Sequence, residues 1–126
     1  MTLTEVRNKA NAKLAEMWPV LQAKQDAYFA KHGTYFGFNW SPAVAVVDGV
    51  DTALVIDRPT RFHYAEDVVY DGEQVPYQIQ IIRHDGATQG YTAFVRIKLL
   101  NGDVWVRSRT NTNVDSGWYL QELIPQ

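Results

Sequence analysis

Apolar side chains recur at helical spacing along the N-terminal quarter of the chain. At about 100° per residue these positions share one face of a helix, and lysines and carboxylates occupy the other faces. The positions are Leu3, Val6, Ala10, Leu14, Met17, Leu21 and Tyr28. The pattern predicts one long amphipathic helix over Leu3–His32, and the apolar face of that helix needs a partner surface.

The ends of this helix carry capping residues. Thr2 and Glu5 have the spacing of a capping box, and Gly33 can take the left-handed conformation that ends a helix. Pro19 lacks a backbone donor, so the helix either kinks there or divides into two. We favour a kink, because the apolar face keeps its phase across Pro19 and Trp18 is a poor N-cap residue.

The segment after the helix, residues 33–42, combines turn residues with aromatic side chains. The aromatic residues are Tyr35, Phe36, Phe38 and Trp40. They either cover the end of the core where helix gives way to sheet, or form an exposed platform for a sugar or a protein partner. The sequence leaves both interpretations open.

From Ala43 onward the pattern changes to short apolar runs and alternating segments separated by turn residues. Ala43–Val47 and Ala53–Asp57 are short apolar runs, whereas Thr60–Gln74 has no clear pattern. Four later segments predict an antiparallel meander: Pro76–Arg83, Tyr91–Leu100, Asp103–Thr110 and Trp118–Ile124. The expected fold is a single α+β domain over residues 1–126, with a kinked N-terminal helix (1–33) packed on a twisted antiparallel sheet (43–124).

The dipeptide Asn101-Gly102 predicts a two-residue type I′ turn, and such a turn fixes the register of its hairpin. Arg96 would then lie opposite Arg107, and Arg107→Glu would leave the fold intact because Arg107 points away from the core. One outer stripe would carry Phe94, Arg96, Lys98, Trp105, Arg107 and Arg109. Opposed like charges favour an acidic partner, although Glu66, Asp67, Glu73 or Glu122 could supply the countercharge. This stripe is the first candidate interface.

Composition limits the possible functions. The chain has 126 residues, 46% of them hydrophobic, which is enough for a sizeable core. A net charge of -2 and a pI near 5.8 argue against binding to nucleic acid or an anionic membrane. There is no cysteine, so disulfides and thiolate chemistry are excluded. No apolar run predicts a signal peptide or a membrane span, so we expect a soluble protein.

Catalytic motifs are weak. His63 and Glu66 have a metal-like spacing but fall in a strand-like segment, and His84-Asp85-Gly86 is typical of a turn. The sequence has no nucleophile elbow, phosphate-binding loop or paired metal motif. We therefore predict no metal, no cofactor and no enzymatic activity. A hydrolase with a pair of carboxylates that come together only in space is the third alternative.

The segment Gln25–Phe36, QDAYFAKHGTYF, ends a long helix in an aromatic turn before a sheet. In outline this is similar to the periplasmic part of type IV pilins and pseudopilins. Together with Trp18-Pro19, Arg58-Pro59-Thr60 and Gly117-Trp118, it resembles small proteins encoded among the structural and tail genes of tailed bacteriophages.

The phage resemblance implies a non-enzymatic structural or interaction protein, associated with the virion or its tail and located in the virion or the host cytoplasm. Such a protein would self-associate or bind a protein partner. The alternative is a small ligand-binding module that holds a carbohydrate on exposed aromatic residues.

Overall fold

The computed structural model describes residues 1–40, 46–52, 76–84 and 89–121. They form one helix, α1 (Leu3–His32), and seven strands. The strands are β1 (Phe38–Trp40), β2 (Val46–Val47), β3 (Val50–Asp51), β4 (Gln78–His84), β5 (Gly90–Lys98), β6 (Val104–Thr110) and β7 (Tyr119–Leu120). The predicted α+β class is confirmed.

Helix α1 begins and ends where the capping residues predicted. The Thr2 hydroxyl accepts a hydrogen bond from the backbone N–H of Glu5 at 3.1 Å. At the other end Gly33 has φ 72°, and its N–H donates to the carbonyl of Phe29 at 2.8 Å. The helix continues through Pro19, so the alternative of two separate helices is wrong. A continuous helix keeps one apolar face along its whole length.

The main sheet contains the predicted meander and one additional strand. Its order is β1-β4-β5-β6-β7, and all neighbouring strands are antiparallel. Strand β1 lies in the segment expected to be a turn-rich connection, and it pairs with the free edge of β4. Strands β2 and β3 form a separate hairpin, which Asp48 ties to α1 by accepting a hydrogen bond from the Leu3 N–H at 2.9 Å.

The core lies between α1 and one face of the main sheet. The predicted apolar face of α1 is confirmed, because its buried apolar residues are Val6, Ala10, Leu14, Met17, Trp18 and Leu21. From β4 and β5 the core receives Ile79, Ile81, Ala93, Val95 and Ile97. The predicted elements at Ala53–Asp57 and within Thr60–Gln74 lie outside the described residues, as do His63 and all four acidic residues proposed as countercharges.

The predicted register of the β5–β6 hairpin is wrong by one residue. Val95 lies opposite Arg107, and Ile97 lies opposite Trp105. The turn has three residues instead of two: Leu99 donates to the Asp103 carbonyl at 2.9 Å, and Gly102 donates to the Leu99 carbonyl at 3.0 Å.

The side chain of Asn101 explains this turn. Its Oδ1 accepts a hydrogen bond from the Asp103 N–H at 3.0 Å, and only Gly102 in the turn has a positive φ, 99°. This is the type I turn followed by a left-handed glycine, whereas a type I′ turn needs positive φ at both central residues. A shift of one residue moves every side chain of β6 to the other face of the sheet. Trp105, Arg107 and Arg109 therefore lie on the face that packs against α1.

Candidate functional site

The predicted outer stripe is not one surface, because the register divides it between two faces of the sheet. Phe94, Arg96 and Lys98 lie on the face away from α1, and Arg96 is opposite Val106. The Arg96 guanidinium lies 4.8 Å from the centroid of the Phe94 ring, and its Nη1 donates to Gln80 Oε1 at 2.7 Å. The expected opposition of Arg96 and Arg107 does not occur.

The other half of the stripe meets residues of α1 and of the loop before β7. We call the resulting cluster the Arg–Trp surface. Its members are Arg7, Asn11, Trp18, Trp105, Arg107, Arg109, Asn113, Asp115 and Trp118.

Arg107 and Asn11 connect three parts of the fold in this surface. The Nε and Nη2 groups of Arg107 donate to the two carboxylate oxygens of Asp115, and its Nη1 donates to Asn11 Oδ1. The indole N–H of Trp118 donates to the same Asn11 oxygen at 3.1 Å. The hydrogen bond from Arg107 lowers the pKa of Asp115 below its ordinary value of 3.8, although burial acts in the opposite direction. One asparagine oxygen therefore joins α1, β6 and the loop.

A second unit of the same kind lies further along β6 and consists of Arg109, Asn113 and Trp18. The Arg109 guanidinium lies 4.6 Å from the centroid of the Trp18 ring, and its Nη2 donates to Asn113 Oδ1 at 3.2 Å. The Trp18 indole N–H donates to the same oxygen at 3.1 Å. Asn113 has φ 64°, a left-handed conformation that asparagine tolerates better than most residues. The two units connect side chains of the surface through shared hydrogen bonds.

Arg7 differs from the other arginines of the surface. Its guanidinium carbon lies 4.2 Å from the centroid of the Trp105 ring and 5.7 Å from that of Trp118. No hydrogen bond or ion pair joins it to any described residue, and its buried Nε has no acceptor. Among the described residues Arg7 thus combines aromatic stacking with an unused set of donors.

The sheet edge beside this surface is apolar. Strand β7 is the last strand of the sheet, and its Tyr119 and Leu120 are 42% and 45% exposed. The N–H of Gln121 donates a hydrogen bond to the Val104 carbonyl in β6 at 2.8 Å. Because backbone groups alternate in direction along a strand, the N–H and carbonyl of Leu120 point away from β6. The edge can therefore accept another extended chain.

The predicted aromatic platform is partly a core feature. Phe36 is 1% exposed and packs on Tyr28 with ring centroids 5.2 Å apart, so it cannot present its ring to a sugar. Tyr35 is half-buried, and the centroid of its ring lies 4.9 Å from the centroid of the Tyr91 ring. Burial, followed by the charges of Asp26 and Tyr35, raises the pKa of Tyr91 to about 12. Phe38 and Trp40 belong to β1, and their side chains lie outside the described structure.

Sequence reasoning missed Arg7, Asn11, Trp18 and the asparagine and aspartate of the loop as members of a site. Arg7, Asn11 and Trp18 lie along one flank of α1, next to its buried face, at helical spacing. That flank is a usable signal, because an arginine and a tryptophan at helical spacing beside an apolar face mark the border of a core where a second element approaches. The loop residues had no comparable signal, since they depend on the register of β6.

Other possible sites are less developed. A shallow groove of about 220 Å³ on the opposite flank of α1 is lined by Lys9, Ala12, Lys13, Glu16 and Tyr77. In the described ranges no group of three potential metal ligands comes together. None of the described helical segments has the length and apolar character needed to cross a bilayer.

Comparison with known proteins adds no second source of information. No protein-family model, curated protein or solved structure matches the chain. The chemistry of the Arg–Trp surface therefore carries the functional inference.

Proposed function

We propose that this protein is a non-enzymatic structural or interaction protein that binds a protein partner, or a second copy of itself, through the Arg–Trp surface and the adjoining β7 edge. The observation that carries this proposal is the contact of the Arg7 guanidinium with the rings of Trp105 and Trp118, beside Leu120, which is opposite Trp105 on the same face of the sheet and 45% exposed. Tryptophan, tyrosine and arginine are the residues that most often dominate binding energy at protein interfaces.

The hydrogen bonds within the surface support the same function. Arg107 and Arg109 are each held by an asparagine, and the two asparagines also hold the indoles of Trp118 and Trp18. Side chains that are already restrained by hydrogen bonds lose less conformational entropy when a partner binds. A surface of this kind favours contact with another protein.

The proposal extends to the biological setting suggested by the sequence. We place the protein among virion or tail-associated components of tailed bacteriophages, in the virion or the host cytoplasm. The support is the resemblance at Trp18-Pro19, Gln25–Phe36 and Gly117-Trp118. Two of these motifs contribute a tryptophan to the Arg–Trp surface.

The experiment is the mass in solution by light scattering over about a hundredfold range of protein concentration. Self-association through β7 predicts a mass that rises above 14.4 kDa in the wild type and returns to 14.4 kDa in Leu120→Glu. The matched control is Val20→Glu, which changes an apolar residue of α1 that is 51% exposed. It should associate like the wild type. A mass of 14.4 kDa at every concentration refutes self-association and leaves a different protein as the partner.

A further inference from the structure

We infer that the segment bound at the Arg–Trp surface is acidic, and that the Arg7 guanidinium holds one of its carboxylates. This inference rests on the proposed function and names the chemistry of the partner. Its starting point is the absence of any hydrogen-bond acceptor for Arg7 within the described residues.

The environment of Arg7 is unusual for an arginine. A guanidinium has five donors, and buried donors in folded proteins are nearly always paired. Here the Nε is buried without an acceptor, and the contacts of the guanidinium with Trp105 and Trp118 are cation–π contacts that provide no oxygen acceptor. The planar edge of a guanidinium matches the two oxygens of a carboxylate. The cation–π contacts therefore position Arg7, while none of the described residues supplies a carboxylate to pair with it.

The local charge favours an acidic ligand. The Arg–Trp surface contains Arg7, Arg107 and Arg109, and its acidic residue, Asp115, is already paired with Arg107. The whole chain has a net charge of -2, so the positive charge belongs to this surface and not to the protein as a whole. A short acidic segment would be attracted to the surface, whereas a long polyanion would also meet the net negative charge of the protein.

The geometry of the sheet edge favours a protein segment as the carrier of the carboxylate. The outward N–H and carbonyl of Leu120 can pair with the backbone of an extended chain. Trp118, which contacts Arg7, immediately precedes β7 in the sequence. A chain paired with β7 would therefore pass close to the Arg7 guanidinium, and an acidic side chain on it could reach that group.

The test is titration of the full chain with an oligoglutamate peptide at low salt. Binding is followed by tryptophan fluorescence and by the NMR signals of the Trp105 and Trp118 indole N–H groups. An oligolysine peptide of equal length, free acetate and an oligothymidylate are titrated in parallel. We expect saturable binding of oligoglutamate that weakens with added salt, and no comparable binding of the other probes.

Variants of α1 locate the carboxylate site. Arg7→Gln should weaken oligoglutamate binding at least about tenfold, because a charge-assisted pair is lost. Arg7→Lys should weaken it less, since the charge remains but the planar edge does not. The matched control is Lys9→Gln, which removes one exposed positive charge from the same helix and should change the affinity less than about twofold. Thermal unfolding of each variant shows whether the fold is intact.

Three results would overturn the inference: no binding of oligoglutamate, equal loss of affinity in Arg7→Gln and Lys9→Gln, or preference for oligothymidylate. Light scattering separates this failure from failure of the proposed function. If the wild type associates through β7 but does not bind oligoglutamate, the interface stands and the acidic partner is wrong. A strict monomer that binds none of the peptides refutes both self-association and the acidic partner, and leaves a protein partner of different chemistry.

Discussion

Substitution of Gln25 by alanine should strongly destabilise the protein, although glutamine is a polar residue in a helix. The Gln25 side chain is 0% exposed. Its Oε1 accepts from the Phe36 N–H at 2.9 Å, and its Nε2 donates to the Phe36 carbonyl at 2.7 Å. The side-chain amide thus supplies the pairing that a neighbouring strand would give Phe36, and it ties α1 to the chain just before β1.

The size of the effect follows from these contacts. Alanine leaves the N–H and the carbonyl of Phe36 without their side-chain partner, at about 1–3 kcal/mol for each buried group. A small cavity adds to this cost, whereas a water molecule entering it would reduce the cost. The expected loss in the free energy of unfolding is about 3–5 kcal/mol. This is a large part of the stability of about 5–15 kcal/mol that is typical of small domains.

The measurement is urea unfolding followed by tryptophan fluorescence and far-UV circular dichroism. Gln22→Ala is the matched control, because Gln22 is a half-buried residue of α1 whose side chain forms no hydrogen bond with a described residue. It should lose less than about 1 kcal/mol. If Gln25→Ala loses no more than this control, the two hydrogen bonds to Phe36 do not stabilise the end of α1.

Gln25→Glu tests the same contact through pH. An ionised carboxylate can accept from the Phe36 N–H but repels the Phe36 carbonyl, whereas a protonated one can donate to it. Burial and this repulsion should raise the pKa of the new carboxyl in the folded state. The variant should then be closest to the wild type in acid and lose stability as the pH rises through that raised pKa. A constant difference between the two proteins from acid to neutral pH would contradict this account.

Three further predictions test the Arg–Trp surface and the end of α1. Arg107→Glu should reduce the free energy of unfolding by about 1–3 kcal/mol, because it breaks the contacts with Asn11 and Asp115. The control is Lys98→Glu, an exposed position on the other face of the sheet, which should change the free energy of unfolding by less than about 0.5 kcal/mol. Asp115 has a lowered pKa in the folded state, so its carboxylate should stabilise the protein at neutral pH and lose this effect as the pH falls through and below about 4. The difference in urea stability between the wild type and Asp115→Asn should shrink over the same range. An unchanged difference in acid would disprove the pairing with Arg107. Gly33→Ala should reduce the free energy of unfolding by about 1–2 kcal/mol in the same assay, because φ at Gly33 is 72°. No atom crowds the added methyl group, so the whole effect comes from the left-handed backbone. A neutral result would mean that the left-handed cap is not required.

The helix and the sheet class could be predicted because their signals are local. The apolar face of α1 depends on side chains three and four residues apart, and the Thr2 and Gly33 caps depend on their own turns. The alternating strands of the meander are local in the same way. Strand β1 could not be predicted, because its pairing with β4 joins segments far apart in the sequence. A three-residue strand has too little pattern of its own to be recognised.

The Arg–Trp surface could not be predicted as a unit, because its composition depends on one backbone turn. Both turns considered for Asn101-Gly102 place a glycine in a left-handed conformation, and they differ in the φ of Asn101. The hydrogen bond from the Asp103 N–H to Asn101 Oδ1 accompanies the three-residue form. This small local difference moves Arg107 from the outer face to the face of α1. Only then do the flank residues Arg7 and Asn11 acquire partners on β6.

The same change of register decides which substitutions can report on binding. In the predicted register Arg107→Glu would test an interface without disturbing the fold. In the observed register Arg107 holds Asn11 and Asp115, so loss of binding in that variant would not distinguish a broken interface from a loosened fold. Arg7 and Leu120 are better positions, because neither forms a hydrogen bond through its side chain within the described structure. Changes there alter the surface presented to a partner while the two asparagine-centred units remain in place.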